Sequence, residues 1–203
     1  MMIEETVIQA AKAFAKEIFS SDSSGHDYYH TIRVHALARN IAYVEGADVT
    51  VVELAALLHD VDDHKLSPDT AADKKNAVDF LRSHGVVEDQ IQQIVHIIDQ
   101  ISFSRNTLPP DTLEGQCVQD ADRLDAIGAI GIARTFAFGG SHGRAIHDPT
   151  GEDQSSSIAH FHEKLLLLKD RMNTVTGRFL AMNRHRFLLE FLEEFQKEWD
   201  GIQ

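Results

Sequence analysis

Apolar residues recur at helical spacing along almost the whole chain, and this periodicity constrains the fold more than any other feature of the sequence. No segment alternates apolar and polar residues in the way that a half-buried strand does. The sequence therefore predicts an all-α protein, and a chain of 203 residues suits a single-domain helical bundle. The predicted helices cover residues 3–19, 28–44, 50–58, 70–84, 88–102, 113–138, 156–172 and 174–199.

Local signals mark the ends of some of these helices. Thr50 and Glu53 have the spacing of a capping box, in which each side chain satisfies a free backbone N–H of the other residue. Gly85 is placed to adopt the left-handed conformation that commonly ends a helix. The segment 113–138 is rich in Ala and Gly, so we expect one long, central helix there.

Charge and cysteine content limit the partners and the compartment. The chain carries 19 Lys and Arg residues against 32 Asp and Glu residues, a formal net charge of −13. A nucleic-acid polymer or an anionic membrane surface requires a basic patch, so neither is an expected partner. The single cysteine, Cys117, excludes an intramolecular disulfide and suits a reducing cytoplasm. The N-terminus has no signal-peptide cleavage pattern, and no apolar run approaches the ~20 residues that span a bilayer, so we expect a soluble cytoplasmic protein.

Residues 139–157 interrupt the helical pattern. This segment is rich in Gly, Ser and Asp, has no periodicity, and approaches the upper length of a structureless loop in a compact domain. Such a loop is either a mobile surface insertion or a functional lid. His142, Arg144 and His147 keep the second interpretation open.

Titratable residues cluster at three places in the predicted helices. The stretch LAALLHDVDDHK, residues 54–65, is an apolar helix that ends in six titratable side chains within seven positions. His26 and His30 lie four residues apart, hence on one face of a helix or of its entry turn. Three aspartates lie on the segment 113–138, where a lone buried carboxylate would be costly unless it were paired, exposed or bound to a metal. They are Asp120, Asp122 and Asp125.

Imidazoles and carboxylates brought together in this way form a mixed N/O site for a divalent metal. Such a ligand set suits Mn²⁺, Fe²⁺, Co²⁺, Ni²⁺ or Zn²⁺ and leaves coordination positions for water and a substrate oxygen. A divalent metal acidifies a bound water toward neutral pH and neutralises charge on a phosphoryl oxygen. The residue types therefore favour a hydrolase.

The pattern H30…H59-D60…D122 resembles the H…HD…D signature of the HD-domain phosphohydrolase superfamily. Four segments together are similar to small stand-alone bacterial HD proteins, and the resemblance spans roughly residues 20–200. They are SGHDYYHTIRVHALA, ELAALLHDVDDHK, VQDADRLDAIGAIGIARTF and SIAHFHEKLLLLKDRMNT. The resemblance implies a single helical HD domain over residues 1–203, with a metal-site core over about 20–140 and a C-terminal helical pair over about 156–199.

The same resemblance implies a ligand set for one divalent metal ion. His30 and His59 would be imidazole ligands, and Asp60 and Asp122 would be carboxylate ligands. Asp120 competes for the last place, but residues 120 and 122 lie about 200° apart on a helix, so only one can face the metal. The metal would be Mn, Co, Ni, Fe, Zn or Mg, with Mn or Co favoured because imidazole ligands prefer these to Mg.

Further residues are implied for catalysis and substrate binding. An acidic residue three positions after the HD aspartate acts as general acid or base in some HD nucleotidases, and Asp63 holds that position; alternatively, Asp62 and Asp63 merely solvate the end of a helix. Lys65 would contact a phosphate oxygen and assist catalysis, or it is a solvated lysine. His26 could donate to the phosphate or to the leaving group.

Residues beside the last ligand complete the implied site. Arg123 would contact phosphate or brace a ligand carboxylate, and Asp125, one turn after Asp122, would be a substrate contact or support a ligand. His35, His84 and His185 lie on otherwise charged faces and are expected to be solvated. His96 lies opposite a stripe of isoleucines, and it is not expected to bind a second metal.

The leading functional hypothesis is a metal-dependent phosphohydrolase that acts on a small phosphate ester or anhydride. A nucleotide, either a monophosphate or a triphosphate, is the expected substrate, and the oligomeric state is left open. The alternative is a catalytically silent metal- or nucleotide-binding regulatory module. A plain helical interaction protein would not explain why metal-ligand residue types end apolar helices at three separate places.

Overall fold

The computed structural model describes residues 2–19, 27–64, 67, 69–101, 108–151 and 155–202, apart from the side chains of residues 2–4. Over these residues the chain forms nine α-helices and one 3-10 helix and contains no strand, which confirms the predicted all-α class. The helices are α1 (Met2–Ile18), α2 (Tyr28–Glu45), α3 (Val49–Leu58), α4 (Lys75–Ser83), α5 (Glu88–Ile101), α6 (Leu113–Asp125), α7 (Gly128–Ser141), α8 (Ser157–Glu163), the 3-10 helix (Leu165–Arg171) and α9 (Val175–Trp199).

The helices group into two compact units, Met1–Asp122 and Arg123–Gln203. The first contains α1 to α5 and most of α6, and the second contains the end of α6, α7 to α9 and the 3-10 helix. None of the helices in the described ranges combines the length and the hydropathy that a membrane-spanning segment needs. The expected boundaries of the metal-site core and of the C-terminal helical pair stay predictions.

Helix α3 lies at the centre of the first unit, where it packs against α1, α2 and α5. Seven of its ten residues are buried, between Val51 and Leu58. A helix that is apolar on nearly every side is stable only inside a core. The burial of α3 therefore holds its C-cap residue, His59, at a fixed position in the unit.

Helix α2 packs on α3 with a stripe of buried residues at helical spacing, which includes His30, Val34, Ala38 and Ile41. Its first turn is capped by the Asp27 carboxylate, which accepts a hydrogen bond from the backbone N–H of His30 at 2.6 Å. This cap determines where α2 begins, and thereby places His30 in the first turn.

The predicted capping box at the start of α3 is wrong. The N-cap is Asp48, whose side chain accepts a hydrogen bond from the Val51 backbone N–H at 3.1 Å, and Thr50 lies inside the helix. The Glu53 carboxylate, which a capping box would require, instead lies 2.8 Å from the Nε2 atom of His35. Asp48 thus caps the helix in place of Thr50, and Glu53 contacts the buried His35 and not the start of the helix.

The expected single helix over residues 113–138 is also wrong, because the structure divides it into α6 and α7. The chain turns at Ala126 and Ile127, and Gly128 adopts a φ of +77°, a backbone conformation that residues other than glycine rarely adopt. A Cβ atom at Gly131 would lie 2.2 Å from the Ala126 carbonyl oxygen, so the turn also requires glycine there. The small residues that suggested a continuous central helix instead permit a tight turn.

In the second unit, α7 packs against α8 and α9, and the 3-10 helix packs against α8 and α9. The predicted helix over 156–172 is divided, since α8 ends at Glu163 and is followed by the 3-10 helix. Leu165 and Leu168 are both buried, and the three-residue repeat of a 3-10 helix places them on the same side.

The predicted loop over 139–157 begins later than expected, because α7 continues through Ser141. The described part of the loop packs on its neighbours through rings. The Arg144 guanidinium lies 5.1 Å from the centre of the Phe138 ring, and the His147 ring meets the Trp199 ring nearly perpendicularly at 4.9 Å. Residues 152–154 lie outside the described residues, and the choice between a lid and an insertion stays a prediction.

Candidate metal centre

Three helices of the first unit each direct a potential ligand to one point. His30 lies in the first turn of α2, His59 is the C-cap of α3, and Asp122 lies in the last turn of α6. Asp60 follows His59 where the chain leaves the α-helix. Helix ends are the positions at which neighbouring residues can face the same site, because the chain there is no longer held in helical register.

The potential ligand atoms lie at distances that a single metal ion could bridge. One ligand atom from each of His30, His59 and Asp122 lies within 4.8 Å of the others. The Nε2 atom of His30 lies 3.4 Å from Oδ1 of Asp122 and 3.6 Å from Oδ2 of Asp60. The Nε2 atom of His59 lies 3.1 Å from the same Oδ2 atom of Asp60. His30, His59 and Asp122 could therefore hold a divalent cation, and Asp60 lies beside both imidazoles.

The backbone orients the His59 ring. Its Nδ1 atom lies 2.8 Å from the Ala56 carbonyl oxygen, and because a carbonyl can only accept, Nδ1 must carry the proton and donate. The lone pair of neutral His59 is then on Nε2, which faces the site. A hydrogen bond from the second ring nitrogen to a backbone carbonyl is a usual support for a metal-binding histidine.

The Nε2 atom of His59 provides a test of whether a metal fits this site. The atom is buried and makes no hydrogen bond of acceptable geometry, although it lies 3.1 Å from a carboxylate oxygen. A buried polar nitrogen without a hydrogen bond is costly in a protein interior. Coordination to a cation would satisfy the nitrogen and bring together the carboxylates around it, so the residues fit a divalent metal.

The electrostatics of the cluster lead to the same conclusion. Burial of the imidazole lowers the pKa of His59, but the attraction of the nearby Asp60 and Asp122 carboxylates outweighs burial and raises that pKa to about 9. Only 5% of the His59 side chain is exposed, so water screens this attraction weakly. The cluster thus demands positive charge, which a proton on His59 or a divalent cation can supply.

The structure separates the two aspartates that competed for the last ligand position. Asp122 belongs to the cluster, and 32% of its side chain is exposed, whereas Asp120 is fully buried and lies outside the cluster. Helical geometry accounts for this difference, because two residues on an α-helix point in nearly opposite directions when they are two positions apart.

The structure describes some of the other implied site residues, and others lie outside the described ranges. Asp63 is half-buried, and its backbone N–H donates to the Asp60 carbonyl oxygen at 2.9 Å. Lys65 and His26 lie outside the described residues. Asp125 is buried, and its carboxylate accepts a hydrogen bond from Arg134 at 2.7 Å. Arg123 donates to the carbonyl oxygen of Arg171. Their functional roles stay predictions.

The structure corrects the expectation that His35 is solvated and the alternative that Asp62 solvates a helix end. His35 is buried, and its Nε2 atom lies 2.8 Å from Oε1 of Glu53. Burial lowers the pKa of this imidazole, although the Glu53 carboxylate opposes the shift. Asp62 is 2% exposed rather than solvated, and it binds two backbone N–H groups of α4. His96 is half exposed and pairs with Asp111 at 3.0 Å, outside the cluster.

Comparison with known proteins identifies the family. Residues 27–127 match the model of the HD domain. The chain is similar to an HD-superfamily hydrolase from Bacillus thuringiensis whose crystal structure is known, with 44% sequence identity. The alignment covers 97% of this chain and 98% of the hydrolase, and its TM-score is 0.83. The chain belongs to the HD superfamily. Both the expected family and the expected helical fold are thereby confirmed.

This HD protein is also similar to YpgQ from Bacillus subtilis, with 44% identity over 194 residues, or 94% of this chain and 93% of YpgQ. A crystal structure of YpgQ in complex with ADP aligns at 38% identity, covers 97% of this chain and 96% of that chain, and has a TM-score of 0.83. The similarity to the HD-superfamily hydrolase from Bacillus thuringiensis supports the expectation that this protein is a hydrolase.

Sequence reasoning missed two side-chain contacts of the described residues. No motif predicts the contact of His59 with the Ala56 carbonyl, which orients that ring, or the bond from Arg134 to Asp125 in the second unit. The spacing of three residues between Ala56 and His59 could have suggested the first contact, because it is a frequent side-chain-to-backbone spacing in helices.

Proposed function

We propose that this HD protein is a metal-dependent phosphohydrolase that cleaves a phosphate ester or anhydride bond of a nucleotide. The observation that carries the proposal is the convergence of the His30, His59 and Asp122 ligand atoms within 4.8 Å, together with a buried His59 nitrogen that makes no hydrogen bond. A site built only for packing would not leave that nitrogen facing two carboxylates.

The proposed ligands are His30, His59, Asp60 and Asp122. A divalent metal bound there would lower the pKa of a coordinated water to a range in which it is an effective nucleophile, and would offset charge on a phosphoryl oxygen. Mn²⁺ or Co²⁺ is favoured over Mg²⁺, because two of the proposed ligands are imidazoles.

The chain's own residues would position the reactants and move protons. Ala56 holds His59 with Nε2 facing the site, and the α2 N-cap holds His30. Asp63 lies three residues after Asp60 and is the proposed general acid or base. Lys65 and His26 are proposed, from their places in the sequence near the proposed ligands, to assist catalysis, with Lys65 contacting phosphate.

Two observations support a nucleotide as substrate. The relative YpgQ has been crystallised with ADP, which is a nucleotide. The net charge of −13 disfavours a polyanionic nucleic acid but permits a small anion whose charge a metal and a few cations can balance. Arg123 and Asp125 are the proposed further contacts of the substrate.

The test is a nucleotide panel with separate detection of phosphate and pyrophosphate. Protein stripped of metal and reloaded with Mn²⁺ or Co²⁺ is assayed with nucleoside monophosphates, nucleoside triphosphates, cyclic nucleotides and simple phosphomonoesters. We expect product from mononucleotides or nucleoside triphosphates, loss of activity with chelator, and recovery when metal is added back. Asp60→Ala serves as the inactive control.

Two outcomes would contradict the proposal. Activity that survives both the chelator and Asp60→Ala would come from a contaminant or from another site. Absence of any chelator-sensitive product, in a protein that still binds metal and nucleotide, would favour a catalytically silent binding module.

A further inference from the structure

Asp62 is a buried carboxylate that lies in the sequence between two residues of the proposed site, yet its side chain binds another helix. It follows the proposed ligand Asp60 by two positions and precedes Asp63, and only 2% of it is exposed. Its Oδ1 atom accepts the backbone N–H of Asn76 at 3.1 Å, and its Oδ2 atom accepts the backbone N–H of Ala77 at 3.0 Å. Both carboxylate oxygens are therefore bound by the first turn of α4.

Helix α4 needs this carboxylate because its own N-cap residue does not provide one. Lys74 occupies the N-cap position, makes no side-chain capping hydrogen bond, and has a φ of 50° in the left-handed region. The free N–H groups of a helical first turn require acceptors, and they favour a negative charge. Asp62 supplies both an acceptor and a negative charge, although it lies fourteen residues before Asn76 in the chain.

Asn76 forms a second bond to the same segment. Its Nδ2 atom donates to the Val61 carbonyl oxygen at 3.1 Å and to the Thr70 hydroxyl at 3.0 Å. Val61 and Asp62 are thus both attached to the start of α4, one through its backbone and the other through its side chain. Asp60 precedes these two residues directly, and its carbonyl oxygen accepts the backbone N–H of Asp63 at 2.9 Å.

We propose that Asp62 and Asn76 are positioning residues for the metal centre. By attaching the chain after the His59 and Asp60 pair to α4, they set the direction of the Asp60 carboxylate and the spacing between Asp60 and Asp63. The start of α4 also offsets part of the charge of Asp62 and binds both of its carboxylate oxygens, so this carboxylate does not compete for the metal. The inference rests on the proposed function, because it concerns the same metal centre.

The test uses Co²⁺ as a spectroscopic probe, because its visible absorption reports coordination geometry and does not depend on turnover. Co²⁺ is titrated into the metal-free full chain, which gives both the affinity and the spectrum at saturation. Asp62→Ala should lower the affinity by about tenfold or more, the usual effect of losing a group that orients metal ligands, and should change the saturated spectrum. Asp62→Asn retains one acceptor oxygen and should recover much of the affinity.

Asp48→Ala is the matched control, since Asp48 is also an aspartate that caps a helix of the first unit, at the opposite end of α3 from His59. It should lower the thermal midpoint of unfolding and leave the Co²⁺ affinity and spectrum unchanged. Asn76→Ala breaks the bond to Val61 while Asp62 remains, and it should change the spectrum in the same direction as Asp62→Ala. This variant decides the question if Asp62→Ala does not fold.

The outcomes separate this inference from the proposed function. If Asp62→Ala and Asn76→Ala lower the thermal midpoint as Asp48→Ala does but keep the wild-type affinity and spectrum, Asp62 is only a helix cap and the inference is wrong. If the wild-type chain takes up no Co²⁺, the proposed metal centre fails, and the positioning role fails with it.

Discussion

The two ring nitrogens of His59 face different groups, since Nδ1 lies 2.8 Å from the Ala56 carbonyl oxygen and Nε2 lies 3.1 Å from a carboxylate oxygen of Asp60. The contact with Ala56 fixes the proton on Nδ1, and the neighbouring Asp60 and Asp122 favour a second proton on Nε2 when no metal is bound. A metal ion bound at the proposed site would have to replace that second proton. At the scale of the residue, the proposed function therefore implies that a proton and a metal compete for the Nε2 atom of His59.

This competition predicts how metal binding depends on pH. Because the pKa of His59 is about 9 without metal, each bound metal should release about one proton near pH 7.5, and the apparent affinity should rise about tenfold per pH unit up to that pKa. Calorimetric titration in buffers of different ionisation enthalpy measures the release. Release should disappear above the pKa; its absence near neutral pH would show that His59 is not a ligand.

The stability of the protein without metal should depend on pH in the opposite direction, falling where the metal affinity rises. A folded-state pKa raised above the unfolded value of 6.5 stabilises the metal-free fold fully below pH 6.5, and this contribution is lost as the pH rises through about 9.

A pair of isosteric substitutions tests which aspartate of α6 binds the metal. Asp122→Asn removes the negative charge of a half-buried proposed ligand and should abolish stoichiometric metal binding with little loss of stability, because 32% of the Asp122 side chain is exposed to solvent. Asp120→Asn alters a fully buried carboxylate and should retain the metal, even if the thermal midpoint falls. Metal analysis and thermal unfolding of both variants decide it. Retention of metal by the Asp122 variant alone would reverse the assignment.

Substitution of Asp63 separates metal binding from catalysis. Asp63→Asn should leave metal content unchanged and lower kcat by ~10²-fold or more if the carboxylate transfers a proton during the reaction. Metal content and steady-state kinetics at saturating metal are the measurements. An unchanged kcat would return Asp63 to the alternative role of a polar residue at a helix end.

At the scale of the element, the site depends on where helices end. Asp27 caps α2, Asp48 caps α3, and Asp62 caps α4 from a distance, so three aspartates of one unit perform the same task. His30 lies in the first turn of α2 and His59 is the C-cap of α3, so the two imidazoles meet at the start of one helix and at the end of another.

The turn between α6 and α7 predicts opposite effects for two glycines of one helix. Gly131→Ala places a Cβ atom 2.2 Å from the Ala126 carbonyl oxygen and should destabilise the fold by about 1–3 kcal/mol, as overpacking does. Gly140→Ala meets no atom within 4 Å and should be neutral or stabilising by up to about 1 kcal/mol. Chemical denaturation measures both. Equal effects would mean that the turn is not tightly packed.

At the scale of the whole molecule, the charge opposes the proposed substrate. A protein of net charge −13 repels a nucleotide at long range, while a divalent metal attracts it at short range. The proposed metal centre would therefore favour small anions, since a polyanion would meet the repulsion along its whole length.

This balance predicts a salt dependence. Raising ionic strength from about 0.01 M to about 0.1 M shortens the Debye length from about 30 Å to about 10 Å, so kcat/KM should rise as the long-range repulsion is screened. Steady-state kinetics at fixed metal concentration measure it, with an uncharged inert solute as the control for viscosity. A fall in kcat/KM would show that local cations near the site outweigh the net charge.

The sequence by itself determined the all-α class and most helix positions, because apolar periodicity is a property of neighbouring residues. It also indicated His30, His59, Asp60 and Asp122 as possible ligands, because the spacing of the HD pattern is readable along the chain. The preference for Asp122 over Asp120 followed from the same resemblance and from helical geometry.

Only the tertiary structure decided which polar residues find partners. Glu53 could have joined Thr50 in a capping box, but it lies beside the buried His35, and Asp62 could have been solvated, but it caps a helix that begins thirteen residues later. The break after Asp125 likewise depends on glycines that permit a close backbone approach. These choices depend on burial and on contacts between distant residues. A carboxylate's partner is set by which atoms lie near it in space, and spacing along the chain does not contain that information.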